Sequence, residues 1–215
     1  MKTNVEHYFN DLFEQYPALK PCQNDIVSAF SVLVTCYKNK AKLLICGNGG
    51  SAADSEHMVG ELMKEFCVKR PAPASMATKL KSIESKNSEF IFSGLQQALP
   101  AISLVSQISL FTAYTNDVDV SMVFAQQVYG YAQPHDVLFA MSTSGNSPNV
   151  CNAAHVARAL DMPVIGLTGN NKGDLSQFCT VLIAAPSSYT YCIQEYHLPI
   201  YHTLCLALEE EFFGA

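Results

Sequence analysis

The chain has 215 residues, enough for one domain with a sizeable core, and its formal net charge is −6 without any run of Lys or Arg. This charge pattern argues against nucleic acid or an anionic membrane as a direct partner. The first residues lack the pattern of a signal peptide, and no apolar run approaches the length of a membrane span, so we expect a cytoplasmic protein.

Charged residues make up 15% of the chain and hydrophobic residues 49%, whereas about 25% of an ordinary soluble domain is charged. So few charges predict that other copies of the chain cover part of the surface, in a homo-oligomer. The eight cysteines are scattered without a CxxC pair, and several lie inside apolar runs. This usage predicts reduced, buried thiols rather than disulfides or a structural zinc site.

The first forty residues predict a pair of helices, because apolar positions recur at helical spacing over residues 4–16 and 24–39. A short apolar run over 42–46 then ends in a glycine-rich loop, 47–51, and helical spacing returns over 52–66. The order of strand, tight turn and helix is typical of one unit of a parallel sheet.

The same unit recurs farther along the chain. Residues 137–141 form an apolar run that leads through the loop 142–147 into a predicted helix, and residues 163–167 lead into a second turn. Shorter apolar runs and a long closing helix complete the pattern, at residues 101–104, 180–184 and 190–213. Strands that alternate with helices predict an α/β fold with a doubly wound parallel sheet.

Residues 69–100 interrupt this alternation with a polar stretch followed by a short apolar one. The segment is too short to bury a core of its own. We therefore expect an inserted helical excursion within a single domain that spans residues 1–215, rather than a second domain.

The loop 142–147 carries four hydroxyl side chains and one glycine between a predicted strand and a predicted helix. Hydroxyls and backbone N–H groups together can surround the oxygens of a phosphate, and Gly145 permits close approach of the backbone. An ordinary helix cap would need one hydroxyl rather than four. The loop therefore favours a phosphate-binding role for Ser142, Thr143, Ser144 and Ser147.

The glycine-rich loop matches the dinucleotide fingerprint GxGxxA only superficially, because no acidic residue follows a next strand about twenty residues on. The loop GxxxxGK[ST] of nucleoside-triphosphate sites is also absent from the sequence. We therefore expect no nucleotide cofactor.

Candidate acid and base residues lie on two predicted helices. His57 and Glu61 are four residues apart and share one helix face, while Gln194 and His202 are eight apart on the closing helix. A solvated helix surface explains any one of them alone. Together, a carboxylate and an imidazole suit proton transfer beside a carbonyl, as in aldose–ketose isomerisation, and a divalent metal could polarise that carbonyl.

Eight helical residues rise about 12 Å, so Gln194 and His202 can share a metal only through converging side chains, a bend at Pro199 or two subunits.

Five ordered motifs resemble those of the phosphoheptose isomerases in the sugar isomerase (SIS) superfamily: Cys46 to Ser51, His57 to Leu62, Asn116 with Asp117, Ser142 to Ser147, and Ile193 to Glu195 with His202. The resemblance covers nearly the whole chain. It implies a five-stranded parallel sheet between helices, a flavodoxin-like three-layer sandwich, and a homotetramer with shared active sites. It also implies isomerisation of sedoheptulose 7-phosphate to D-glycero-D-manno-heptose 7-phosphate.

The resemblance further implies roles for individual residues. Glu61 would be the base and His202 the acid. Zinc could be held by His57, Glu61, Gln194 and His202. A larger set of residues would contact the substrate, and it includes Ser51 as the last residue of the glycine-rich loop: Asn48, Gly49, Gly50, Ser51, Glu61, Asn116, Asp117, Ser142, Thr143, Ser144, Ser147 and Gln194.

Three departures from the family pattern concern the sugar rather than the chemistry. The excursion at 69–100 is longer than usual, an arginine expected shortly after Glu61 is missing, and an aspartate expected before Gln194 is replaced in the stretch Tyr191-Cys192.

A non-catalytic phosphosugar sensor, or a partner-binding SIS protein, is the alternative. A sensor needs the phosphate loop but no acid and base, so the presence of both Glu61 and His202 favours an enzyme.

Overall fold

The structure is a computed structural model and describes residues 3–214. Within this range, five strands form one sheet: β1 Leu43–Cys46, β2 Ala101–Ser103, β3 Val137–Met141, β4 Val164–Thr168 and β5 Val181–Ala184. Nine α-helices surround it: α1 Glu6–Gln15, α2 Gln23–Lys38, α3 Gly50–Met63, α4 Ala74–Ile83, α5 Ser88–Gly94, α6 Ile108–Asp117, α7 Val123–Tyr131, α8 Pro148–Ala159 and α9 Thr190–Phe213.

The strands lie in the order β2-β1-β3-β4-β5, and every neighbouring pair is parallel. The predicted doubly wound, five-stranded α/β sheet is therefore confirmed. The chain moves outward from β1 to β2 and then returns past β1 to form β3, so the direction of winding reverses between β1 and β3. Ligands of open parallel sheets bind in the crevice at such a point, beyond the carboxyl ends of the strands.

Helices cover both faces of the sheet. Successive strand residues point to opposite faces. Leu43 and Ile45 of β1 belong to one buried cluster, to which α1, α2, α3 and α9 contribute, while Leu44 and Cys46 belong to the other, to which α7 and α8 contribute. All residues of β1, β3 and β4 are buried, as is typical of central strands covered on both sides. The molecule thus has the three layers of the predicted sandwich.

The helix after β1 is shorter than its sequence pattern predicts. Apolar spacing extends to residue 66, but α3 ends at Met63 and Lys64 has extended backbone angles. The N–H groups of Phe66, Cys67 and Val68 donate to the carboxylate of Glu209 instead of to helix carbonyls. A tertiary contact that local sequence does not encode therefore ends the helix.

The segment 69–100 contains α4 and α5, and an antiparallel bridge between Pro71 and Gln96 closes its base. None of the side chains of α4 is buried, and Ser88 is the buried residue of α5.

The turn after β4 leads into a short 3₁₀ helix, Asp174–Phe178, rather than into another α-helix. Among the helices of residues 3–214, none is both long and apolar enough to span a membrane.

The eight cysteines are all free thiols, as predicted. Their predicted burial is only partly correct, because Cys67 is exposed and three others are half-buried: Cys151, Cys179 and Cys192. Burial raises the pKa of the Cys46 thiol to about 12, so this residue behaves as an inert apolar side chain of the core.

Candidate functional site

Two loops meet in the crevice between β1 and β3. The glycine loop follows β1 and the hydroxyl loop, Ser142 to Ser147, follows β3. Two hydrogen bonds join the glycine loop to the first turn of α8, just beyond the hydroxyl loop: the side-chain amides of Asn48 and Asn149 each donate to the other's oxygen, at 2.8 and 2.9 Å. The sequence reasoning selected Asn48 but missed Asn149, whose partner lies on another strand–helix unit. Ser51 contributes to the start of α3 with a buried side chain.

The hydroxyl loop offers several hydrogen-bond donors at the start of α8. Ser142 Oγ lies 3.0 Å from Ser147 Oγ, and Ser144 Oγ accepts from the N–H of Asn146 at 3.1 Å. Within residues 3–214, the backbone N–H groups of Thr143, Ser144 and Ser147 have no acceptor. Free N–H groups and hydroxyls beside the positive end of a helix dipole suit an anion such as phosphate.

Gly145 packs closely against a neighbouring turn. Its φ is +70°, and a Cβ at this position would overlap the carbonyl oxygen of Lys172. Its own carbonyl accepts from the N–H of Leu175 at 2.9 Å. The close approach that glycine permits is therefore to the neighbouring turn at Lys172 and Gly173, which holds the loop in place.

A cluster of ionisable side chains lies where α3 and α9 pack together. His57 Nε2 is 3.3 Å from Glu61 Oε1 and 3.4 Å from His202 Nε2. Glu61 is 13% exposed and His57 is 44% exposed, so the cluster is open to a ligand from one side. Burial lowers the pKa of His202, the nearby His57 lowers it further, and Glu61 opposes both effects. This direction favours the neutral imidazole of His202.

A buried tyrosine orients His57. The hydroxyl of Tyr201 donates to Asp54 Oδ1 at 3.2 Å and lies 3.0 Å from His57 Nδ1. Burial raises the pKa of Tyr201 above its ordinary value, so its hydroxyl stays protonated. Because that hydrogen is given to Asp54, the tyrosine oxygen is left to face His57 Nδ1 and fixes the orientation of the ring beside Glu61 and His202. Sequence reasoning found neither Tyr201 nor Asp54.

Lys64 is a further residue that sequence reasoning did not assign to the site. Its ammonium group lies 3.2 Å from Glu61 Oε2 and 3.0 Å from the backbone carbonyl of Glu65. The chain thus places a cation beside the candidate base, although the arginine expected after Glu61 is absent.

Gln194 lies at the other end of the α3–α9 contact. A Cβ at Gly50 would overlap the Gln194 side-chain amide, so glycine at this position makes room for that amide at the first turn of α3. Gln194 therefore borders the glycine loop, whereas His57, Glu61 and His202 meet farther along the two helices.

Asn116 and Asp117, which the resemblance singled out, and a third residue, His197, lie apart from the cluster. Asn116 and Asp117 end the exposed helix α6, where Asn116 donates to the Asp117 carboxylate at 2.9 Å. No hydrogen bond connects them to the other predicted site residues within the described chain. His197 is buried in the core, 3.2 Å from the carbonyl oxygen of Thr168, and burial lowers its pKa to about 4. We therefore assign His197 a structural role.

The cluster provides only part of what a zinc ion needs. Tetrahedral zinc with bonds of about 2.0 to 2.1 Å has ligand atoms about 3.3 Å apart, and both distances from His57 Nε2 are close to this value. No group of three or more His, Cys, Asp or Glu side chains in residues 3–214 is arranged to hold a metal ion, however. The described side chains do not form a complete metal site.

Comparisons with known proteins identify the family of the chain. The SIS domain family model matches residues 7–94 and 91–169. The chain is 36% identical to a phosphoheptose isomerase of Helicobacter hepaticus over 98% of its own length and 94% of that protein. Among solved structures, a phosphoheptose isomerase from Neisseria gonorrhoeae has 32% identity and a TM-score of 0.70, covering 94% of this chain and 96% of that one. Another from Francisella tularensis has 27% identity and a TM-score of 0.75, covering 98% and 100%.

The contact of Gly145 with the neighbouring turn can be tested against a second glycine. Gly49 also has positive φ, but a Cβ there would meet no atom within 4 Å. We predict that Gly49→Ala costs only the backbone strain, about 1 to 3 kcal/mol. Gly145→Ala should cost a further 1 to 3 kcal/mol or so because of the overlap with the Lys172 carbonyl. Urea unfolding of both variants measures the difference, and equal losses would contradict the assigned contact.

Proposed function

The chain belongs to the phosphoheptose isomerase family of SIS-domain proteins and is a phosphosugar isomerase; we propose that it converts sedoheptulose 7-phosphate to D-glycero-D-manno-heptose 7-phosphate through an enediol. The observation that carries this proposal is the cluster of Glu61, His57 and His202 on α3 and α9, because α3 begins at the glycine loop, which is hydrogen-bonded to the start of α8 just beyond the hydroxyl loop. The names of the relatives support the heptose substrate.

We propose that the phosphate binds to the hydroxyl loop and that the sugar extends toward α3 and α9. The free N–H groups and hydroxyls of the loop support the first part. Gln194 and Asn48 border the path between the loop and the cluster and supply amide groups for sugar hydroxyls. Asn116 and Asp117 would join the site through another copy of the chain.

In the proposed reaction, Glu61 removes a proton from C1 of the ketose, and the C–H electron pair forms the C1=C2 bond of the enediol. The C2 carbonyl oxygen takes a proton from His202 as its double bond becomes single. Return of the proton from Glu61 to C2, with loss of the O1 proton to His202, gives the aldose. A neutral imidazole can donate a proton to the enediolate oxygen and take one back, and the lowered pKa of His202 supports this role.

Zinc binding by His57, Glu61, Gln194 and His202 is part of the proposal. A bound zinc would polarise the sugar carbonyl. The distances around His57 Nε2 support it, whereas the incomplete set of ligands among the described residues does not. The proton transfers described above involve only the side chains.

We also propose that the protein is a homotetramer located in the cytoplasm. The low charge content and the apolar side chains on poorly covered helices support the oligomer: Ile83, Phe90, Ile108, Val118 and Val120 are all more than half exposed. Neither α4 nor α6 buries a side chain within the chain.

Light scattering at micromolar concentration tests the oligomer. We expect a mass close to four times the 23.5 kDa of one chain, because tetramer formation would bury the exposed residues of α4, α5 and α6. The mass of a single chain would contradict the proposal, and the mass of two chains would limit it to a dimer.

The central test is an isomerisation assay with five- to seven-carbon ketose phosphates, with and without a chelator. We expect turnover of the seven-carbon phosphate and none of unphosphorylated sedoheptulose, which lacks the group that the hydroxyl loop binds. A rate that falls with chelator and returns with zinc would establish the metal, and an unchanged rate would exclude it. Binding of phosphosugars without any turnover would replace the enzyme with a sensor.

A further inference from the structure

A buried ion pair lies directly behind the catalytic cluster. Arg70 Nε donates to Glu209 Oε1 at 2.7 Å, and the two side chains are 0% and 1% exposed. The Glu209 carboxylate also accepts the N–H groups of Phe66, Cys67 and Val68, at 2.7, 2.7 and 3.0 Å. A buried charged pair is tolerated only when its remaining hydrogen-bonding capacity is satisfied, and that condition is met for Glu209.

The guanidinium group of Arg70 also contacts the backbone of α3. Nη1 donates to the carbonyl of Leu62 at 2.8 Å, and Nη2 donates to the carbonyl of Glu61 itself at 3.3 Å. The last carbonyls of a helix lack donors within that helix, so a cation at this end satisfies them and also favours the helix dipole. The ring of Phe213 lies 4.7 Å from the guanidinium carbon and covers it.

Glu209 connects this cap to the other catalytic helix. It lies on α9 seven residues after His202, and residues two turns apart share one helix face. A single ion pair thus links the backbone of the candidate base to the helix of the candidate acid. His57 lies between the side chains of Glu61 and His202, with its Nε2 atom 3.3 Å from Glu61 and 3.4 Å from His202.

We propose that Arg70 and Glu209 are positioning residues that set the separation of Glu61 and His202 for proton transfer. The inference rests on the proposed function, because it assigns those two residues as base and acid. Neither Arg70 nor Glu209 touches the substrate in this account. Misplacement of a catalytic group by about 1 Å can reduce a rate by about 100-fold, so the position of the end of α3 matters to turnover.

A matched control lies at the amino-terminal ends of two inner strands of the sheet. Lys42 Nζ is 2.5 Å from Asp136 Oδ2, and Asp136 is 1% exposed. Like Glu209, Asp136 accepts backbone N–H groups, from Lys42 at 2.9 Å and Gln133 at 2.8 Å. This pair immediately precedes β1 and β3, at the ends of these strands that lie away from the crevice.

The test compares apolar replacement of the two pairs, because both replacements remove two buried charges together with the backbone hydrogen bonds that the carboxylate accepts. For Arg70→Met with Glu209→Leu, we expect kcat to fall about 10- to 100-fold with KM little changed. For Lys42→Met with Asp136→Leu, we expect kcat to stay close to that of the wild type. Wild-type kcat in the first double variant, or an equal fall in both, would overturn the proposal.

A conservative variant covers the case in which the first double variant does not fold. Arg70→Lys keeps a cation for Glu209 but cannot reach both the Leu62 and Glu61 carbonyls, because an ammonium group lacks the fork of a guanidinium. We expect a folded protein with reduced kcat and unchanged KM. Wild-type kcat in this variant would also overturn the proposal.

A readout without substrate separates this inference from the proposed function. If the wild type isomerises no phosphosugar, the proposed function fails, and nitrogen NMR of the imidazoles then tests the positioning directly. We expect the His57 and His202 signals to shift in Arg70→Lys and to stay unchanged in the Lys42 and Asp136 double variant. Unchanged signals in Arg70→Lys would show that the pair does not position the cluster.

Discussion

The packing of α9 along α3 is the interaction on which the rest of the site depends. The two helices run parallel and touch at three levels: Gln194 against Gly50, Tyr201 against His57, and Glu209 against the chain just beyond α3. The separation in sequence is nearly constant along the contact, 144 residues at His57 and 143 at Phe66. Side chains of the two helices therefore meet in register along the whole length of α3.

This register places different chemistry at different levels. The start of α3 lies at the crevice between β1 and β3, where backbone N–H groups are free to bind an anion. Its last two turns carry His57 and Glu61, and its end is held by Arg70 and Glu209. A substrate with a phosphate at one end and a carbonyl near the other suits such a site, since the two groups need different surroundings.

Much of the fold could be predicted from the sequence, because its signals are local. Alternating apolar runs and helical spacing predict the parallel sheet, and the loops after 42–46 and 137–141 mark its crevice. His57 and Glu61 could be paired because four residues on a helix share one face. The assignment of His202 to the same site as His57 and Glu61 came from the resemblance to the family rather than from spacing along the chain.

The remaining features depend on contacts between distant parts of the chain. The ion pair of Arg70 with Glu209, the contact of Tyr201 with Asp54, and the bond between Asn48 and Asn149 have no local signature. The early end of α3 has the same cause, since Glu209 takes the N–H groups that would have continued the helix. The burial of His197 has no local signature either, although this residue stands between Gln194 and His202 in the sequence.

The measurement that tests the account most directly is the turnover of Glu61→Gln compared with Glu65→Gln, the same chemical change four residues later, beyond the end of α3. Glutamine keeps the size of Glu61 but cannot accept the proton from carbon, so we expect kcat to fall about 100- to 10,000-fold while the phosphosugar still binds. Glu65→Gln should keep a rate close to that of the wild type, because Glu65 makes no contact with His57 or His202 among the hydrogen bonds of the described chain. Wild-type turnover in Glu61→Gln would contradict the account.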